Sequence, residues 1–183
     1  MVLIGQSLYF YLPAYFANMT PPVIAKLGLV KFLDKPMDFG ASYKGIRILG
    51  DNKTWRGLVS GTIVGMVVFL VQAELFSIPY FQRISLLDYN SGEKKLLVGF
   101  FLAFGALFGD ALFSFFKRRI GLASGRKWIP FDQIDHVIGA FLLTSLVLPL
   151  DLKVWLLVLI LTFFLHLFVN RIGFGLGISE SKF

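Results

Sequence analysis

Long apolar runs, separated at intervals by charged loops, constrain this chain more than any other feature of its sequence. Residues 58–80 and 96–116 each supply the roughly 20 predominantly apolar positions that a helix needs to cross a bilayer core. Another apolar region begins at Ile134, and Pro149-Leu150-Asp151-Leu152-Lys153 divides it into two spans joined by a tight turn. The second of these covers residues 154–169, near the short limit for a membrane helix. Residues 2–30 form an irregular first run. Pro13 and Thr20-Pro21-Pro22 remove amide donors there, so it reads as one helix or as two half-helices whose break is buried in protein. A soluble domain of 183 residues that is 56% hydrophobic would lack the polar surface it needs, whereas lipid permits an apolar exterior. The expectation is therefore an all-α fold: a polytopic membrane helix bundle of about five transmembrane helices, forming a single integral membrane domain over residues 1–183. Four or six spans result from reading the first run differently.

Charge sets the orientation. Of the 18 lysines and arginines, only Arg83, Lys94, Lys95 and Lys153 fall outside the loops at about 31–56 and 117–133, their edges and the tail. Basic residues collect on the cytoplasmic side of membrane proteins, so both loops and the C-terminus are expected there and the N-terminus outside, in a multi-pass cell-membrane protein. A net charge of +7 would suggest nucleic acid in a soluble chain. In these loops it favours an anionic membrane surface or a phosphate-bearing ligand, and no basic groove with interleaved aromatics is present. The absence of cysteine excludes disulfide and thiolate chemistry. Two histidines, His136 and His166, are too few for a zinc cluster, and residues 50–57 lack the spacing of a Walker loop.

Within this apolar frame Asp110 stands out, because a carboxylate at the centre of a span costs roughly 2.5–3.5 kcal/mol on insertion scales unless it is paired or lines a polar cavity. Ser114, Lys117 and Arg118 follow four, seven and eight residues later, on the same helical face. A structural ion pair is the weaker reading, since no other span core offers a lysine or arginine. Asp132 and Asp135 are three apart behind Pro130, a spacing that turns both carboxylates to one side. Helix capping explains Asp132 but only partly explains the pair. Asp110, Asp132 and Asp135 together offer hard oxygen donors suited to Mg²⁺, with water and phosphate completing its shell. Lys117, Arg118, Arg119, Arg126 and Lys127 surround these acids as phosphate-binding cations or as headgroup and topology signals. Asn52, Lys53 and Arg56, with Thr54, form a second polar group before residue 58. His166 and Asn170, four apart in the last span, either meet substrate or hydrogen-bond between helices.

The run Gly109-Asp110-x-x-x-Ser114-x-x-Lys117-Arg118-Arg119, followed by Gly125-Arg126-Lys127-Trp128-x-Pro130-Phe131-Asp132-Gln133-x-Asp135, resembles the signature of the CDP-archaeol synthase family. That family is related to the phosphatidate cytidylyltransferases (CDP-diacylglycerol synthases), which share a similar S-x-x-K-R…D-x-x-D pattern. Residues 50–57, Gly-Asp-Asn-Lys-Thr-Trp-Arg-Gly, look like another family motif, as does Pro13-Ala14-Tyr15-x-Ala17-Asn18-x-x-Pro21-Pro22. The resemblance covers most of the chain. It implies Mg²⁺-dependent transfer of a cytidylyl group from CTP to 2,3-bis-O-(geranylgeranyl)-sn-glycerol 1-phosphate, giving CDP-archaeol and pyrophosphate. On that reading Asp110, Asp132 and Asp135 are the metal ligands, and they are catalytic together with Lys117, Arg118 and Arg119. Asn52, Lys53, Arg56, Ser114, Arg126 and Lys127 contact nucleotide or phosphate, and Asn18, His166 and Asn170 are further candidates. The two isoprenoid chains are expected in a groove between Phe- and Leu-rich helices that opens sideways to lipid.

The rival is a small membrane transporter or channel with Asp110 on its transit path. It accounts for the intramembrane acid but not for acids and bases gathering at one boundary. Glycines at four-residue spacing, Gly57, Gly61 and Gly65, permit a homodimer as readily as packing within the chain. A reporter domain fused after Phe183 is expected to report from the cytoplasm; an extracellular signal would overturn the orientation.

Overall fold

Helix α1 (Val2–Lys26) runs as one uninterrupted 25-residue element in the computed structural model, with Pro13, Pro21 and Pro22 all inside it. The structure describes residues 2–90 and 94–175, and at 169, 170 and 172–175 the backbone alone. Each proline removes the amide that would bond the carbonyl four residues back. For Pro13 that carbonyl is Tyr9's, and Gln72 Nε2, from α2 (Trp55–Leu75), donates to it instead at 2.5 Å. For Pro21 it is Ala17's, and this oxygen lies so close to Gly61 of α2 that a Cβ there would sit 2.6 Å from it. The freed carbonyls of Tyr9 and Ala17 thus face protein rather than lipid. That is why, of the two readings of this run, the single helix holds.

The α2 helix starts where Thr54, in extended backbone, accepts the Gly57 amide on its hydroxyl at 3.2 Å. Its glycines face inward. A Cβ on Gly65 would meet the Pro13 carbonyl at 2.8 Å and the Ala103 methyl at 2.5 Å, so the ladder is used for packing on α1 and α4 within the chain. Between helices in lipid the hydrophobic effect contributes little, and close backbone approach supplies the van der Waals attraction that holds them together.

After the short α3 (Pro79–Ile84), α4 (Lys95–Arg119) forms the centre of the bundle, packed against α1, α2 and α5 (Phe131–Thr144). Half of its most apolar stretch is buried, against 28% for α2. The last helix, α6 (Leu152–Gly175), leans on α5 and α1. Phe10 and Tyr11 of α1, Phe69 of α2, Leu102 of α4, Val137 of α5 and Trp155 of α6 meet in the core, while Leu156, Ile160, Phe164 and Phe168 leave an apolar outer face on α6. The tightest crossing joins α4 to α5. A Cβ on Gly139 would collide with the backbone of Gly105 and Gly109, and one on Gly109 with the Asp135 carbonyl. The start of α5 is thereby pressed onto α4 beside Asp110.

Helices α2 and α4 are each long and apolar enough to cross a membrane. The expected span from Ile134 is shorter than anticipated. Its helix has 14 residues, roughly 21 Å at 1.5 Å per residue against a hydrocarbon core of roughly 30 Å. The α-helix ends at Thr144, with Ser145 as its C-cap still in right-handed backbone, and Pro149 disfavours a helical Leu148. In contrast, α6 extends beyond the expected residues 154–169 at both ends. The loop at 31–56 is not wholly irregular, because β1 (Ser42–Tyr43) and β2 (Ile46–Arg47) form a small antiparallel hairpin with Ser42 opposite Arg47.

Gln72→Leu should leave the Tyr9 carbonyl unsatisfied and destabilise the fold by about 1–3 kcal/mol in thermal unfolding. In a Pro13→Ala background, where the residue-13 amide can bond that carbonyl, the same change should cost less. Equal costs in both backgrounds would refute this account of α1.

Candidate active site

Where α4 emerges from the bundle, its polar face opens into a cavity of about 230 Å³. Asp110, Ser114, Lys117 and Arg118 line it from α4, as their helical spacing requires. Asp132 and Asp135 line it from α5, brought there by the glycine crossing. Asn52 and Lys53 enter from the loop before α2, and Arg126 and Lys127 from the loop before α5. Most residues singled out from sequence therefore converge on one opening, although up to 83 positions separate Asn52 from Asp135.

The acids are held by specific partners. Lys53 Nζ lies 2.7 and 2.6 Å from the two Asp110 oxygens, and Lys117 Nζ lies 2.9 Å from both oxygens of Asp132. Asp132 also accepts the Trp128 amide at 2.7 Å, so it fixes the preceding loop rather than capping α5 through its own helix. Asp135 is 5% exposed, accepts the His136 amide at 2.6 Å and lies 3.3 Å from His136 Nδ1. An ion pair at Asp110, the weaker reading of this acid from sequence, is present, and Lys53 makes it. Lys53 stands just before α2 and not within any span core, which is why a search of the cores misses it.

Among the buried cations of the cavity, Arg118 is the exception. Its side chain is buried at 7% exposure, its Nε has no hydrogen-bond partner, and no carboxylate pairs with it among the described residues. A buried guanidinium without an anion is unfavourable unless a ligand supplies one. Arg126 also lines the cavity with no ion pair among the described residues. Both are forked donors suited to phosphate oxygens.

Arg119 does not belong with them. Its guanidinium donates to the carbonyls of Tyr43, Ile46 and Arg47 at 3.3, 3.1 and 2.6 Å and stacks over Phe115, tying the hairpin to α4 on the side away from the cavity. Nine residues beyond Asp110, Arg119 is about 180° around α4 from that acid, whereas Lys117 and Arg118 lie within about 80° of it. Arg56 pairs with Asp34 at 3.0 Å and lines a neighbouring cavity. Asn18 and His166 line other cavities beside α1, and the side chain of Asn170 lies outside the described residues.

Two residues that no sequence motif singles out organise the site. Ser124 accepts from Asn52 Nδ2 at 3.3 Å and joins the two loops across the cavity mouth. Asp38, buried at 1% side-chain exposure, gathers Arg47 and the amides of Gly40, Leu49 and Gly50, shaping the segment that delivers Asn52 and Lys53. Gly50 takes φ +102° there, a backbone that favours glycine. Burial works against ionisation of Asp38, but the Arg47 guanidinium and the three amides outweigh it and hold the carboxyl well below its usual range. The Asp38-Phe39-Gly40 step is the available sequence signal, an aspartate able to bond its own backbone two residues on.

The three carboxylates fit a hard divalent cation by donor chemistry, and ammonium groups already lie against two of them. As placed, no group of three acidic or histidine side chains among the described residues converges tightly enough to hold a metal alone. Magnesium needs no such cage, since one or two carboxylates with substrate phosphates and water suffice.

A helical bundle with a charged, phosphate-suited cavity at the end of its central helix has the character of an intramembrane enzyme. Accordingly, the fold matches the solved structure of an intramembrane enzyme for archaeal membrane lipid biosynthesis, with a TM-score of 0.67 and 28% identity over 89% of this chain and 91% of that one. The family described as "CarS-like: CDP-archaeol synthase" matches residues 1–183. A CDP-archaeol synthase of Thermococcus onnurineus is 38% identical over 93% of this chain and 92% of its own length. One of Methanosarcina barkeri is 40% identical over 92% of this chain and 98% of its own length. The chain belongs to the CDP-archaeol synthase family.

A depressed folded-state pKa means that ionised Asp38 contributes stability fully present above its ordinary value of 3.8 and lost as pH falls toward the lower folded value. The deficit of Asp38→Asn in thermal unfolding should therefore be largest at neutral pH and shrink below about pH 4. A deficit independent of pH would contradict this role.

Proposed function

We propose that this protein is a cytidylyltransferase that makes CDP-archaeol and pyrophosphate from CTP and 2,3-bis-O-(geranylgeranyl)-sn-glycerol 1-phosphate. The observation that carries the reading is the buried Arg118, paired with no carboxylate among the described residues, in a cavity shared with three aspartates and three lysines, within a chain of this family. A nonbridging oxygen of the lipid phosphate attacks the α-phosphorus of CTP in line. The new P–O bond forms as the bond from the α-phosphorus to the α,β-bridging oxygen breaks, and pyrophosphate leaves with that oxygen. A phosphate dianion is already an adequate nucleophile near neutral pH, so the protein's task is positioning and charge neutralisation.

Arg118 and Arg126 grip the triphosphate oxygens, while Ser114 and Asn52 orient them. Asp110, Asp132 and Asp135 would hold Mg²⁺, which when bound would supply positive charge to the reacting phosphates. Lys53 and Lys117 neutralise Asp110 and Asp132 until the nucleotide arrives, then turn to its phosphates. Arg119 is a tether of the hairpin in this scheme, and Arg56 a boundary residue of the adjoining cavity.

The same reading takes α1, α2, α4, α5 and α6 as five membrane-crossing elements, with the cavity on the cytoplasmic side, where CTP is found. Transport is not favoured. Lys53 closes on Asp110, and the relatives are synthases.

In detergent-purified protein given CTP, Mg²⁺ and the prenylated phosphate, Asp110→Asn and Asp132→Asn should each lower turnover by at least about 100-fold without loss of fold. Near-normal turnover in either folded variant would remove that residue from the reacting centre.

A further inference from the structure

On the cytidylyl-transfer reading, which this inference requires, Asp135 is a cation ligand. Unlike Asp110 and Asp132, it has no lysine against it among the described residues. What holds it is the next residue. Oδ1 of Asp135 accepts the His136 amide at 2.6 Å and lies 3.3 Å from His136 Nδ1, while Oδ2 receives no hydrogen bond among the described residues. An ionised carboxylate only accepts, so the ring nitrogen facing it must carry a proton. At 3.3 Å the ring contact is long for a hydrogen bond, and bonds of this kind at catalytic sites tighten in the substrate complex.

The histidine is an unusual member of the core. It is 2% exposed, and Asp135 is the one hydrogen-bond partner of its ring among the described residues. Tyr11 and Tyr15, one turn apart on α1, flank that ring with centroids at 6.1 and 6.4 Å, and they meet each other edge-to-face at 4.8 Å. Tyr15 is fixed in turn, since its hydroxyl shares a hydrogen bond with that of Thr162 in α6 at 2.5 Å. An apolar side chain would fill this space without the cost of burying an imidazole. Packing from α1 and α6 thus locks the ring with its polar edge on an acid of the nucleotide cavity.

We propose that His136 is a positioning residue for Asp135: its amide and Nδ1–H fix Oδ1, leaving Oδ2 as the oxygen available to a divalent cation in the nucleotide cavity. The three acids are then prepared in different ways. Asp110 and Asp132 face lysines on flexible stems that can move to a phosphate, whereas Asp135 is held by a backbone amide and an imidazole that cannot. Hydrogen bonds from such partners orient metal ligands, and losing one typically costs roughly 10–100-fold in metal affinity. The contacts run from Thr162 through Tyr15 and His136 to Asp135. Helix α6 therefore supports one of the acids, although none of its described side chains lines the nucleotide cavity.

Binding of Mn²⁺ to the detergent-purified protein with CTP and no lipid acceptor, read by electron paramagnetic resonance, tests this without turnover. His136→Phe keeps a ring between the tyrosines but loses the donor, and it should weaken Mn²⁺ binding at least about tenfold. His136→Asn, whose amide nitrogen can stand where Nδ1 stands, should stay within about threefold of wild type. His136→Gln, which reaches the position of Nε2 instead, should be as weak as the phenylalanine variant. Wild-type affinity in His136→Phe would overturn the proposal. Equal affinities in His136→Asn and His136→Gln would overturn it too, and that comparison decides the matter even if His136→Phe does not fold. Asp135→Asn separates this inference from the reading beneath it. If that variant binds Mn²⁺ as tightly as wild type, Asp135 is no cation ligand, and the metal assignment fails together with this inference. If it binds at least about tenfold more weakly while His136→Phe and His136→Gln do not, this inference alone fails.

Discussion

The site depends on a contact made without side chains. Gly105 and Gly109 of α4 lie directly on Gly139 of α5, and Gly109 lies against the Asp135 carbonyl. Any Cβ at these glycines would push the helices apart. Because Asp110 adjoins Gly109, such a separation would withdraw Asp132 and Asp135 from the α4 face that carries Asp110, Ser114, Lys117 and Arg118. Membrane helices lack a hydrophobic drive to associate, so a close backbone seam both holds the bundle together and sets the distance between its acids.

Around that seam, charge is compensated locally and unequally. Lys53 and Lys117 satisfy two carboxylates, while Arg118 is left buried with no carboxylate against it among the described residues. A site built only for stability would have paired this guanidinium too, because an unmatched buried charge is costly. The imbalance makes sense if a phosphate chain supplies the missing negative charge. Lysine suits the reversible role, being a compact charge on a flexible stem, and arginine suits the fixed one.

Much of this was legible in the chain itself. The 110–114–117–118 face comes from helical periodicity, and the pairing of Asp132 with Asp135 from a spacing of three. Periodicity also argues against Arg119 as a site residue, yet reading Lys117-Arg118-Arg119 as one cluster hides that. The salt bridge between Lys53 and Asp110 joins positions 57 apart, and no local pattern reveals it. The prolines of α1 leave one helix and two half-helices equally open for the same reason. Proline breaks a helix when its orphaned carbonyl finds no donor, and here the donor is Gln72, on another helix. Asp38 escapes notice because its function is carried by backbone amides brought to it by a hairpin whose strands are only two residues each.

The central claim is that one cavity holds both the acids and the nucleotide phosphates, with the lysines exchanging partners between them. Crystals grown with CTP and Mn²⁺ in place of Mg²⁺ would test it through the anomalous signal of the metal. The account predicts a manganese peak among Asp110, Asp132 and Asp135, phosphate oxygens on Arg118, and Lys53 or Lys117 released from its carboxylate. Nucleotide bound elsewhere, with both lysine–aspartate pairs intact and no metal between the carboxylates, would contradict it.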